Sequence, residues 1–202
     1  MNIDQLQKNL RDAENRVKGF KGSLEEHLAA FGAVSEAQRA LAAAQGHEYA
    51  VPFDIGFVPE AAVSGPVLFQ TDYSAVLTFN AMVRVDKAKR TEAGTGVIEL
   101  VHCKITKFGY PNDEALAGHP LYQRGLSGYG VFEVINSSWS RQLTEQNRVS
   151  FPNTPDSSAH HFIFTFHDST FECIAGSLSA SLSNEPFERI VASLSQRVLG
   201  EQ

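Results

Sequence analysis

Cysteine, tryptophan, methionine and positive charge are all scarce in this chain. Two cysteines and one tryptophan are spread over 202 residues. A disulfide framework is therefore excluded as the source of stability. None is needed, since a chain of this mass can bury about 70% of its extended surface on folding. Cys103 and Cys173 read as reduced thiols, as in a cytoplasmic protein. Long apolar runs are missing too. None approaches the roughly 20 residues of a membrane span, and Met1-Asn2-Ile3-Asp4 lacks the basic start and apolar run of a signal peptide. No membrane association is expected.

Seventeen Lys and Arg stand against 23 Asp and Glu, for a net charge of −6. The densest basic stretch is Lys87-Ala88-Lys89-Arg90. Phosphate neutralisation supplies most of the affinity of nucleic-acid binders, and this chain offers no basic face for it. Walker, dinucleotide, G-x-S-x-G and paired-histidine metal patterns are absent, so no cofactor and no metal is implied.

What the chain has is phenylalanine, 14 residues of it, in a clear order of elements. The first 46 residues read as helical. Asn2 precedes a stripe of Ile3, Leu6, Leu10, Ala13, Val17 and Phe20 with spacings of three and four. Ser23 to Glu26 is a capping box, and Ser35 to Gln38 reads as a second one opening an alanine-rich helix that stops near Gly46. Residues 46–66 carry three prolines and read as an irregular connection.

From 66 to 178 the pattern turns β. Strands are expected at 67–70 and 74–85, at 96–108 and at 129–136, with a hairpin of 159–167 and 170–177 turning at Asp168-Ser169. Ser137 or Ser138 caps a helix running to about Asn147, and a C-terminal helix covers 184–199. The expectation is a single α+β domain over 1–202. About six mainly antiparallel strands would form a curled sheet, packed against the N-terminal helices and the C-terminal helix.

The 159–177 hairpin carries the most chemistry. Period-two alternation puts Phe162, Phe164, Phe166, Phe171, Cys173 and Ala175 on one face, and His161, Ile163, Thr165, His167, Thr170, Glu172 and Ile174 on the other. A turn at Asp168-Ser169 sets His167 diagonal to Glu172. A carboxylate beside an imidazole orients the ring and raises its pKa, which prepares a general base.

Around that pair the sequence offers His102 and Glu133 on neighbouring strands. The long loop of 109–130 carries His119, Tyr122 and Arg124, and loops of this length are often functional. Arg141, at a strand-to-helix junction, could hold an anion.

Two readings follow. In the first, a small molecule binds on the polar sheet face, lined by His167, Glu172, Thr165, Glu133 and His102 and closed over by His119, Tyr122 and Arg124. If there is catalysis, His167 or Glu172 is the base, and Arg124 or Arg141 holds an anionic group. In the second, the protein has no chemistry and pairs with its twin as a homodimer through the N-terminal helical stripe.

Overall fold

The computed structural model describes residues 2–63, 65–72, 74–84, 90–156 and 158–200. Its class is α+β, with antiparallel sheets and helices at both ends. The strands divide between two open five-stranded sheets rather than forming one curled sheet of six. No helix among the described residues is long and apolar enough to cross a membrane.

Helix α1 (Ile3–Val17) is capped by Asn2, whose side chain accepts the Asp4 N–H. Helix α2 (Leu24–Ala44) starts in the Ser23–Glu26 capping box, with both reciprocal bonds formed. It runs unbroken through Ser35, so the second helix start expected there does not exist. A Ser-x-x-Gln pattern inside a helix that already supplies its amides with acceptors has no free N–H to cap. Among the larger contacts α1 touches α2 alone, whereas α2 reaches the first strand and the turn at Tyr122–Arg124.

The 46–66 connection holds two short strands, β1 (Tyr49–Pro52) and β2 (Val58–Pro59). They are followed by β3 (Val67–Gln70) and β4 (Ala75–Arg84), which pair as expected around Thr71. A polar turn is expected at 87–94. Residues 85–89, after β4, lie outside those described, and the next strand already begins at Arg90, so residues 90–94 are strand.

The strand expected over 96–108 is two strands, β5 (Arg90–Val101) and β6 (Ile105–Gly109), broken at His102, whose φ is +51°. Next come β7 (Val131–Ile135), α3 (Ser138–Ser150), β8 (His160–Thr165), β9 (Thr170–Ala175), β10 (Ser177–Ser183) and α4 (Phe187–Gly200). Strand β10, Ser-Leu-Ser-Ala-Ser-Leu-Ser, is too polar to announce itself, and it gains its state from pairing along β5.

One sheet has the order β1-β7-β8-β9-β6. The other is β10-β5-β4-β2, with β3 also on β4. The break at His102 explains how they join. Strands β5 and β6 continue one another across it, and so do β9 and β10 across Gly176. Both ladders therefore turn the corner together. The Gly176 N–H donates to Val101 O at 2.8 Å and the Lys104 N–H to Ile174 O at 2.8 Å. A Cβ at Gly176 would lie 3.3 Å from His102 Cβ, so the corner fits only a glycine comfortably.

The inner faces meet in one core. Phe162, Phe164, Phe171 and Cys173 from the first sheet pack on Leu77, Phe79, Ile98 and Leu100 from the second. The aromatic face of the hairpin is thus covered by a sheet and not by helices. Alternation reports that a face is buried but not what buries it. Helix α4 covers the outside of the second sheet, over β3, β4 and β5.

Phe164 is fully buried, with rings of Phe79, Phe166 and Phe171 at 5.9–6.4 Å. Phe164→Ala is expected to cost about 3–5 kcal/mol in urea denaturation. A loss below about 1 kcal/mol would mean that the sheets do not meet through this ring.

Candidate functional site

The β8–β9 hairpin keeps the predicted faces but not the predicted partners. Phe166 N–H donates to Ser169 O at 2.9 Å, so the tight turn centres on His167-Asp168, one residue earlier than expected. The pairing then runs Thr165↔Thr170, Ile163↔Glu172 and His161↔Ile174. A shift of two residues preserves which side each chain points to. It replaces His167 by His161 as the diagonal neighbour of Glu172. The turn is pinned from outside the hairpin, where Asp113 N–H donates to His167 O and the Thr170 hydroxyl to Pro111 O, each at 2.9 Å.

His161 lies 2.9 Å from Glu172 through Nε2 and 2.9 Å from Ser137 Oγ through Nδ1. Ser137 is the N-cap of α3, its Oγ accepting the Ser140 N–H at 3.1 Å. A hydroxyl, an imidazole and a carboxylate thus stand in one hydrogen-bonded row. His161 is 4% exposed and Ser137 8%.

Trp139 meets the His161 ring edge-on at 5.2 Å, and Lys107 Nζ sits 3.8 Å over the indole. Lys107 is also the cross-strand partner of Glu172. The Ser138 N–H and hydroxyl donate to Glu48 Oε2 at 2.7 and 2.6 Å.

His119 comes to the same carboxylate from the loop. Its Nδ1 accepts the Leu121 N–H, so its proton is on Nε2, 3.7 Å from Glu172 Oε1. Burial opposes the charge on Glu172. The N–H groups aimed at it by His119 and His161, with the charges of His161 and Lys107, outweigh burial and hold its carboxyl far below the usual range.

Strand geometry opens space beside this row. The β7–β8 ladder ends at Glu133↔Phe162, although β7 continues to Ile135 on its other side and β8 begins at His160. The strands part there, and α3 stands across the gap. The resulting cleft of about 500 Å³ is lined by Ser137, His161, His160, Glu133, Arg141 and Arg148, among others. Glu133 Oε1 and His160 Nδ1 pair at 2.6 Å. Arg141 Nη1 donates to Asn136 O at 2.7 Å, which fixes the guanidinium at the rim. Arg148 is engaged by Asp156 at 2.8 Å.

The other sequence candidates are elsewhere. His167 belongs to a second cluster, 2.9 Å from Asp113 Oδ2 and 3.2 Å from Tyr129 OH, and Tyr129 OH also donates to that carboxylate. The hydrogen bond to Asp113, with burial and the charge of Asp113, pushes the Tyr129 phenol up to about 12, while Asp113 raises His167 above its ordinary value. Glu172 and His167 therefore do not form one pair.

His102 lines a neighbouring cleft that shares Ser140 and Thr144 with the first. Thr165 is buried as a latch, accepting Gly130 N–H at 3.0 Å and donating to Ser127 O at 2.9 Å. Arg124 lines a smaller hollow with His119 and His47, and Tyr122 is 41% exposed. The loop does cover the outer sheet face, where Leu116, Leu121 and Leu126 pack on Phe132, Val134 and Ile163. Of the predicted set, the site unites Glu172, Glu133 and Arg141, with His119 behind them.

Sequence reading missed His161 as the partner of Glu172, and Lys107 altogether. It took Ser137 for a helix cap only. The face assignment already held His161 beside Glu172, so the available signal was the alternative turn. No family model, curated protein or solved structure matches this chain.

A depressed carboxyl stabilises the fold fully above the ordinary glutamate value of about 4.3, and that contribution is lost as pH falls below it. Glu172→Gln is expected to cost about 1–3 kcal/mol at pH 7, from the loss of a charged acceptor at a buried imidazole. The gap between wild type and variant should shrink in urea titrations from pH 5 towards pH 3. A gap independent of pH would show that the charge is not what His161 and His119 hold.

Proposed function

We propose that this protein binds a small organic anion in the cleft between the parted ends of β7 and β8 and helix α3. The observation that carries the reading is the hydroxyl–imidazole–carboxylate row of Ser137, His161 and Glu172, whose first two members form part of the cleft wall. A buried polar row costs free energy to assemble, and such rows concentrate where a ligand or a proton is handled.

Arg141 supplies the charge for an anionic group. One of its donors is engaged by Asn136 O, which orients the plane and leaves the rest of the fork for a carboxylate or phosphate. The His161–Glu172 pair supplies an oriented acid–base group beside the bound molecule. His167, earlier a candidate base, belongs with Asp113 and Tyr129 in this reading and takes no part.

Melting temperature read across a panel of small mono- and dicarboxylates and inorganic phosphate tests this. At least one compound should raise it by mass action. Arg141→Ala should weaken that compound about 10–100-fold by calorimetry, the equivalent of one charge-assisted contact. Full indifference to the panel, or equal binding by the variant, ends the reading.

A second reading is self-association. Leu24, Leu28 and Phe31 on α2 are 63%, 46% and 48% exposed, on a helical hairpin whose α1 leans on α2 alone among its larger contacts. An apolar patch at the end of a two-helix projection suits pairing with a second copy. In sedimentation the full chain should run as a dimer and the Leu28→Lys/Phe31→Lys double variant as a monomer. Equal masses for the two proteins refute pairing through this face.

A further inference from the structure

We propose that Ser137 is a nucleophile that takes acyl groups from small esters, an inference that rests on the cleft described above being the ligand site. The argument is a count of protons. Glu172 is ionised and can only accept, so the proton of its 2.9 Å contact is on His161 Nε2. In the uncharged form of the ring, the form a general base must have, Nδ1 carries a lone pair, and it faces Ser137 Oγ at 2.9 Å. Ser137 Oγ already accepts the Ser140 N–H. Its own hydrogen therefore points at Nδ1. A hydroxyl donating to an imidazole that a carboxylate orients is an activated serine, whatever the fold around it.

The surroundings suit the role. His161 is 4% exposed and braced by Trp139, so the ring does not turn and water does not compete for Nδ1. In the first turn of α3, Ser138 N–H goes to Glu48 and Ser140 N–H to Ser137, while the Trp139 N–H between them has no acceptor among the described residues. Arg141, one turn along the helix, receives an anionic substituent of the substrate.

The step balances with water as the second reactant. Ser137 Oγ bonds to the ester carbon as its proton passes to His161 Nδ1, and the carbonyl electron pair moves onto oxygen. The pair returns, the bond to the alcohol oxygen breaks, and the alcohol leaves with the proton from Nδ1. Water then adds to the acyl carbon, giving its proton to Nδ1. Release of the carboxylic acid restores the serine hydroxyl. Glu172 forms no bond to substrate and is a positioning residue.

The full chain is mixed with p-nitrophenyl acetate, and p-nitrophenolate and intact mass are followed together. The expected result is a burst of one equivalent and an acetyl group mapped to Ser137. His161→Gln should slow the burst by about 10²–10⁴-fold. Ser137→Asn keeps a good N-cap and removes the nucleophile. It should melt near the wild-type temperature and give no adduct.

No burst, or acetyl on a lysine or Cys103 instead, overturns the proposal. So does a burst that survives in a folded Ser137→Asn. If that variant does not fold, the mapped site in the wild type decides. Carboxylate binding in the same preparations separates the two levels. Binding without acylation leaves the cleft reading standing and removes the nucleophile. Acylation of Ser137 without any anion binding removes the anion reading instead.

Discussion

Glu172 carries a charge on a strand whose neighbours on both sides are apolar, with its side chain 15% exposed. A carboxylate so placed is tolerated only when donors surround it. They arrive from separate parts of the chain, His161 from the strand on one side and His119 from the covering loop, while Lys107 on the strand at the other side adds its charge. Satisfying that one group closes the loop over the sheet and settles the tautomer of His161. The tautomer then dictates which way the Ser137 hydroxyl points, and that hydroxyl begins α3. The cleft wall is in this sense the downstream result of one acid that had to be neutralised.

The sequence pattern carried the composition of faces much further than it carried contacts. Phenylalanines at 162, 164 and 171 alternate against His161, Ile163 and Glu172, and both sides are as read. Register was beyond it. Asp168-Ser169 and His167-Asp168 are both acceptable turn centres, and the choice between them is made by Pro111 and Asp113, more than 50 residues away. That choice moved the proposed partner of the acid from His167 to His161.

The same limit explains the other differences. Residues 96–108 form one extended run in which nothing local marks the corner at His102, since the corner exists only because Gly176 lies against it. Ser35 looks like a helix start until the preceding turn is known to be helical. Ser177–Ser183 becomes a strand because β5 is there to pair with it. Elements set by their own caps or periodicity, such as α1, the start of α2, α3 and α4, were legible to within a few residues.

The corner also accounts for why two open sheets behave as one sandwich. Two of the connections between the sheets, β5 to β6 and β9 to β10, turn at the same point and bond to each other there. The parting of β7 and β8 lies at this same end of the sheet, since His160 pairs with Ala175 beside Gly176, and the cleft lined by His102 and Gly176 shares Ser140 and Thr144 with the one beside the polar row.

The bond between Glu48 and the start of α3 has a temporal side. Residues 48 and 138 are 90 positions apart, so during synthesis the acceptor emerges long before the amide it will satisfy. Closing so wide a span is entropically slow relative to local turns. The helix that presents Ser137 therefore has one local cap, its own serine, and one acceptor, Glu48, that only the finished fold can bring to it.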